Sequence, residues 1–133
     1  MISTLHCHPD TPSPHVRAIR VEMDRLNDGG LAFRYSLTGD LEALRIPAQA
    51  RAERADGLWR HTCFEAFIGG DGAAYREFNI SPAGHWQAYD FTDYRRGRHN
   101  PALPAPNLWR RESAMGLVLG CRLIGRASCR ERV

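Results

Sequence analysis

The sequence predicts an all-β protein, an antiparallel β-sandwich. Three observations predict it: apolar and polar residues alternate in several runs, glycine-rich turns separate those runs, and the runs are short and regularly spaced. A chain of 133 residues fits one domain around one core. With 43% hydrophobic residues and no apolar run near the roughly 20 residues of a spanning helix, no membrane partner is expected.

The first strand pair is expected over residues 15–24 and 31–38. Ile19, Val21 and Met23 alternate with Arg20 and Glu22, and Leu31, Phe33, Tyr35 and Leu37 alternate with Ala32, Arg34, Ser36 and Thr38. Such alternation sends one face to the core and the other to water. Asn27-Asp28-Gly29-Gly30 supplies the positive-φ residues of a hairpin turn, so the pair should run antiparallel. A short strand is expected over 41–46, and the alanine- and arginine-rich 47–56 suits a turn or two of surface helix.

Residues 62–68 put Phe64, Ala66 and Ile68 on one face and Cys63, Glu65 and Phe67 on the other. Both faces are partly apolar, which predicts a central strand. Gly69-Gly70-Asp71-Gly72 turns the chain into 74–80, where Arg76, Phe78 and Ile80 oppose Tyr75, Glu77 and Asn79; 81–84 then turns it into 85–91. These three strands form a meander. Residues 95–106, RRGRHNPALPAP, read as an exposed loop, and strands over 108–113 and 115–123 follow, the second apolar enough to be buried.

Composition removes several chemistries. All 18 basic residues are arginine, so no lysine can form a Schiff base or serve a phosphate loop. His6, His8 and Asp10 stand where a secretory leader needs a basic end and an apolar run, so a cytoplasmic location is expected. Residues 124–133, IGRASCRERV, resemble a translated sequencing adapter. Arg126, Arg130 and Arg132 against Glu131 give that tail +2, so without it the formal charge falls from +3 to +1 and no nucleic-acid partner is expected. A native tail of this composition would instead suit phosphate or an acidic partner. Cys7, Cys63 and Cys121 then remain, an odd and widely spaced set that argues for a reducing compartment.

The segment 57–90 concentrates aromatic, acidic and amide side chains on neighbouring strands. Trp59, then Glu65 within Cys-Phe-Glu-Ala-Phe-Ile, then Glu-Phe-Asn-Ile-Ser-Pro-Ala-Gly over 77–84, resembles the DOMON-like domain related to family-9 carbohydrate-binding modules. The resemblance covers roughly residues 4–123, making 1–123 the ligand-binding domain and 124–133 a non-native tail. It implies a β-sandwich that holds a sugar or a haem in a cleft without covalent chemistry of its own. It also implies that Trp59 and Glu65 contact the ligand, with Arg76 a weaker candidate. Further strands would follow residue 123, so the chain reads as C-terminally truncated, with an open edge beside 115–123 and poor solubility.

The residue types suit a saccharide. An indole face covers the C–H surface of a pyranose, and a carboxylate accepts hydroxyl hydrogen bonds of about 1.5–3 kcal/mol each. Each candidate also has a structural reading: Trp59 as an aromatic closing the sandwich edge, Glu65 as a strand carboxylate paired with Arg60 or Arg76. Glu77 and Asn79 share a face that would form a polar pocket floor or a network under the Ser81-Pro82 turn. Trp86 would clasp a planar ligand with Trp59, or pack in the core.

No cofactor is required by these residues. Haem, the alternative ligand, would draw on His8, His15, His61, His85, Met23 or Met115, none at a diagnostic spacing. His6-Cys7-His8 is no metal site, because strand alternation points Cys7 away from both histidines. An enzyme would use Glu65 and Glu77 as glycosidase carboxylates about 5–9.5 Å apart. Cys63 near His61 would be a thiol nucleophile lacking an orienting third group. The expected function is non-catalytic binding of a small, carbohydrate-like ligand.

Overall fold

Alternation in the sequence becomes eight strands in the computed structural model, which describes residues 1–123: β1 (Ile2–Thr4), β2 (Val16–Arg25), β3 (Leu31–Gly39), β4 (Phe64–Gly69), β5 (Tyr75–Ile80), β6 (Trp86–Phe91), β7 (Asn107–Ser113) and β8 (Gly116–Leu123). The expected foreign tail, 124–133, lies outside the described residues. All pairings between these strands are antiparallel, in two sheets ordered β1-β2-β3-β8-β7 and β4-β5-β6. The fold is the β-sandwich that the alternation predicts.

The core lies between the sheets. Leu31, Phe33, Tyr35 and Leu37 of β3 are buried, and β8 sets Cys121, Leu119 and Leu117 beside Phe33, Tyr35 and Leu37. Phe64 and Ala66, Phe78 and Ile80, and Trp86 and Ala88 complete the same cluster from the second sheet. Each large apolar side chain buried here contributes about 1.5–3 kcal/mol. Tyr35 also ties the layers together by donating its hydroxyl to the Glu65 carbonyl (2.9 Å). On the opposite face of the first sheet, Gly120 lies under Trp109; a Cβ there would come within 1.9 Å of the indole.

Four expectations need correction. Residues 41–46 form a turn, not a strand: Leu41, Leu44 and Ile46 reach the core at a spacing that is not period two, and the Leu44 amide bonds back to the Leu41 carbonyl (3.2 Å). Residues 47–56 are extended, not helical. They run beside β6 with a parallel bridge at Arg54 and Trp86, the Trp86 amide donating to Glu53 (3.1 Å) and the Ala55 amide to Trp86 (3.0 Å). Arg54 pins this segment, with Nε on Gln87 Oε1 (2.5 Å), Nη2 on the Pro101 carbonyl (2.7 Å) and its guanidinium over the Trp86 ring. A stretch this short has little helix stability to set against such tertiary bonds.

β4 is an edge strand among the described residues, not a central one. Its second apolar face, with Phe67 61% exposed, belongs to a surface cleft and not to a covering layer. β8, for which an open edge was expected, runs between β3 and β7 and pairs on both sides over 116–122.

Candidate functional site

Strand parity decides which side chains leave the second sheet on its outer face. The register sets Glu65, Asn79 and Gln87 in one row across β4, β5 and β6, Phe67, Glu77 and Tyr89 in the next, and Gly69, Tyr75 and Phe91 in the third. A cleft of about 520 Å³ opens over this face. Six aromatic residues line it, Trp59, Phe67, Tyr75, Tyr89, Phe91 and Tyr94, together with Glu65, Glu77, Arg95 and Arg98.

The segment before β4 delivers Trp59. Gly57 adopts the left-handed conformation (φ 75°) that turns the chain into a single 3-10 turn, Leu58–Arg60. Leu58 is buried beneath it, while Trp59 stays 45% exposed and meets Tyr89 edge to face at 5.9 Å. Asp56 fixes the approach by accepting the Tyr89 hydroxyl (3.0 Å) and Gln87 Nε2 (2.9 Å). Burial, then the Asp56 hydrogen bond, raises the Tyr89 hydroxyl pKa, so the ring keeps its proton and remains a donor.

The far wall is the loop after β6. It closes with the Thr92 amide on the Arg96 carbonyl (3.0 Å), while the Arg95 amide donates to the Tyr75 hydroxyl (3.1 Å). Arg95 holds a positive φ of 56°, which costs a non-glycine residue about 1–2 kcal/mol. Tyr75 and Phe91 stack at 4.7 Å, Arg95 lies over Tyr94 and Arg98 over Tyr89, each at 5.1 Å.

Glu65 and Glu77 are diagonal neighbours on adjacent strands and line the same cleft. Burial, then the charge of Glu77, pushes the Glu65 carboxyl above its ordinary range. Among the described residues neither carboxylate forms a hydrogen bond or salt bridge. The anticipated pairing of Glu65 with Arg60 or Arg76 does not form: Arg60 lies over the Trp59 ring, and Arg76 makes a two-pronged bond to Asp90 (2.5 and 2.8 Å). Asn79, directly across from Glu65, is 0% exposed, and neither of its amide atoms has a partner.

The structure therefore brings Trp59, Glu65 and Glu77 to one cleft, with Asn79 on the same sheet face. It does not bring Arg76 or Trp86 there. Both share parity with Phe78 and Ile80 and point to the opposite face, where Trp86 is 4% exposed within the core. Tyr75, Tyr89, Phe91, Tyr94, Arg95 and Arg98 went unpredicted. Parity in the meander would have found the first three; the loop residues carry no local signal.

A second hollow, an apolar groove of about 890 Å³ beside β4, is lined by Val16, Ile19, Leu37, Leu44, Ile46 and Phe64 among others, and it also touches His61 and Cys63. Burial, then the charge of Glu65, pushes the Cys63 thiol up to about 12, which removes it as a nucleophile at neutral pH. Among the described residues no group of three or more His, Cys, Asp or Glu side chains is placed to hold a metal ion. Nor, among them, is any helix long and apolar enough to cross a membrane.

No family model, no curated protein and no solved structure matches the chain.

Proposed function

We propose that this protein is a non-catalytic binding domain of DOMON-like type, acting in the cytoplasm, that holds a small carbohydrate-like ligand in the outer cleft. The observation that carries the reading is the convergence of Trp59, Glu65 and Glu77 on one hollow walled by aromatic rings. Rings offer flat apolar area to the C–H faces of a sugar, and unpaired carboxylates accept hydrogen bonds from its hydroxyls. The residues lining this cleft include no histidine or methionine among those described, which favours a sugar over haem here.

Calorimetry of the folded chain against a panel of neutral oligosaccharides tests the proposal. Binding is expected to weaken about tenfold in Trp59→Ala, equivalent to about 1.4 kcal/mol of lost stacking. Failure of every sugar to bind, or unchanged affinity in Trp59→Ala, would overturn it. The raised carboxyl of Glu65 beside Glu77 favours a second reading, a glycosidase with Glu65 as general acid. Release of new reducing ends from any bound oligosaccharide, lost in Glu65→Gln, would establish that reading in place of the first.

A further inference from the structure

We infer that the outer cleft selects a ligand carrying a positively charged nitrogen, an organic ammonium such as a protonated amino sugar. The inference rests on the reading of this cleft as a ligand site and adds the charge of what it takes. Glu65 and Glu77 face the same hollow from adjacent strands, close enough to repel, with no hydrogen bond or salt bridge among the described residues to offset either charge. Arg95 and Arg98 line the far wall of the same cleft, over Tyr94 and Tyr89, and among the described residues neither forms an ion pair with Glu65 or Glu77. Asn79, wholly buried and unpartnered on the same face in register with Glu65, leaves both an acceptor and a donor unused.

The walls favour the same chemistry. Aromatic faces carry partial negative charge and attract cations, most strongly when water is displaced; Arg60 and Arg98 already cover a face of Trp59 and of Tyr89, while Phe67 and Tyr75 line the hollow with no arginine over them among the described residues. A neutral hydroxyl can donate to Glu65 or Glu77 but leaves both negative charges in place. An ammonium both donates and neutralises. The chain as a whole is formally positive, at +3, so a preference for cations would have to be local to this cleft.

Calorimetry at near-neutral pH and low salt, where a glucosamine amine still carries its proton to a large extent, compares the glucosamine trimer, its N-acetylated form, cellotriose and choline. The glucosamine trimer is expected to bind at least about tenfold tighter than either neutral trimer. Choline should compete for the site, and added salt should shrink the preference. Glu77→Gln and Glu65→Gln should each bring the trimers near parity, with melting curves confirming the fold. Equal binding of charged and neutral trimers, unchanged in both variants, would overturn the inference and leave the saccharide proposal standing. Binding of choline with no sugar bound would uphold the inference and overturn the saccharide proposal. Absence of binding by all four probes would overturn both.

Discussion

Replacing Asn79 with leucine should stabilise this protein. Asn79 sits mid-strand in β5 between Glu65 and Gln87, wholly buried, with both side-chain polar atoms unpartnered. Each such atom costs about 1–3 kcal/mol, or about 2–6 for the pair. Leucine has the same number of side-chain heavy atoms but bulkier ends, and overpacking costs about 1–3 kcal/mol. The net expectation for Asn79→Leu is a gain of about 1–3 kcal/mol, large against a total stability of about 5–15 kcal/mol. In urea, with a slope of about 1–3 kcal/mol per M, the midpoint should rise by about 1 M with the slope unchanged.

Gln87→Leu is the control. Gln87 is also buried, but its amide bonds Arg54, the Ala88 amide and Asp56, so the same change should destabilise by about 1–3 kcal/mol. A fall in the midpoint for Asn79→Leu would refute the reasoning and show that the amide is satisfied in solution, by ordered water or by a ligand. The stabilised variant should also bind more weakly at the cleft, because stability held back at a binding site is commonly exchanged for function.

Trp86→Ala should cost about 3–5 kcal/mol in chemical denaturation, since the ring fills the core under Arg54, whereas the gentler Trp86→Phe should leave ligand affinity unchanged; a large affinity loss in Trp86→Phe would place Trp86 at the ligand after all. Because Glu65 titrates above its usual 4.5 in the folded chain, the native state keeps a proton that the unfolded chain releases. Its contribution is therefore present below that value and lost as pH rises through the folded one. Urea midpoints of Glu65→Gln relative to the parent should climb as pH rises above 4.5, and a constant difference would contradict the assignment. In a Cys129→Ser chain, an aromatic disulfide reagent should modify exposed Cys7 at once. Cys63 and Cys121, each pushed up to about 12 mainly by burial, should react only on unfolding, and rapid modification of Cys7, Cys63 and Cys121 alike would show the core to be open.

Local sequence determined the strands and their faces. The alternation of Leu31 to Leu37, and of Tyr75, Glu77 and Asn79 against Arg76, Phe78 and Ile80, is a period-two signal that backbone geometry enforces residue by residue. Glycine turns at Gly29, Gly72 and Gly84, each with positive φ, fixed the hairpins for the same local reason. Parity alone already separated Glu65 and Glu77 from Arg76, and carried through the meander it would have sent Trp86 to the core.

Only the tertiary structure decided the rest. The edge position of β4, the extension of 47–56 along β6 and the placing of Arg95 and Arg98 over the cleft's tyrosines depend on partners distant in sequence. Arg54 illustrates the difference: its neighbours suggest a helix, but bonds to Gln87 and Pro101 hold it extended. Alternation specifies which way a side chain points from its strand. What it then meets is set by long-range pairing, which closes loops against chain entropy and leaves no trace in the local pattern.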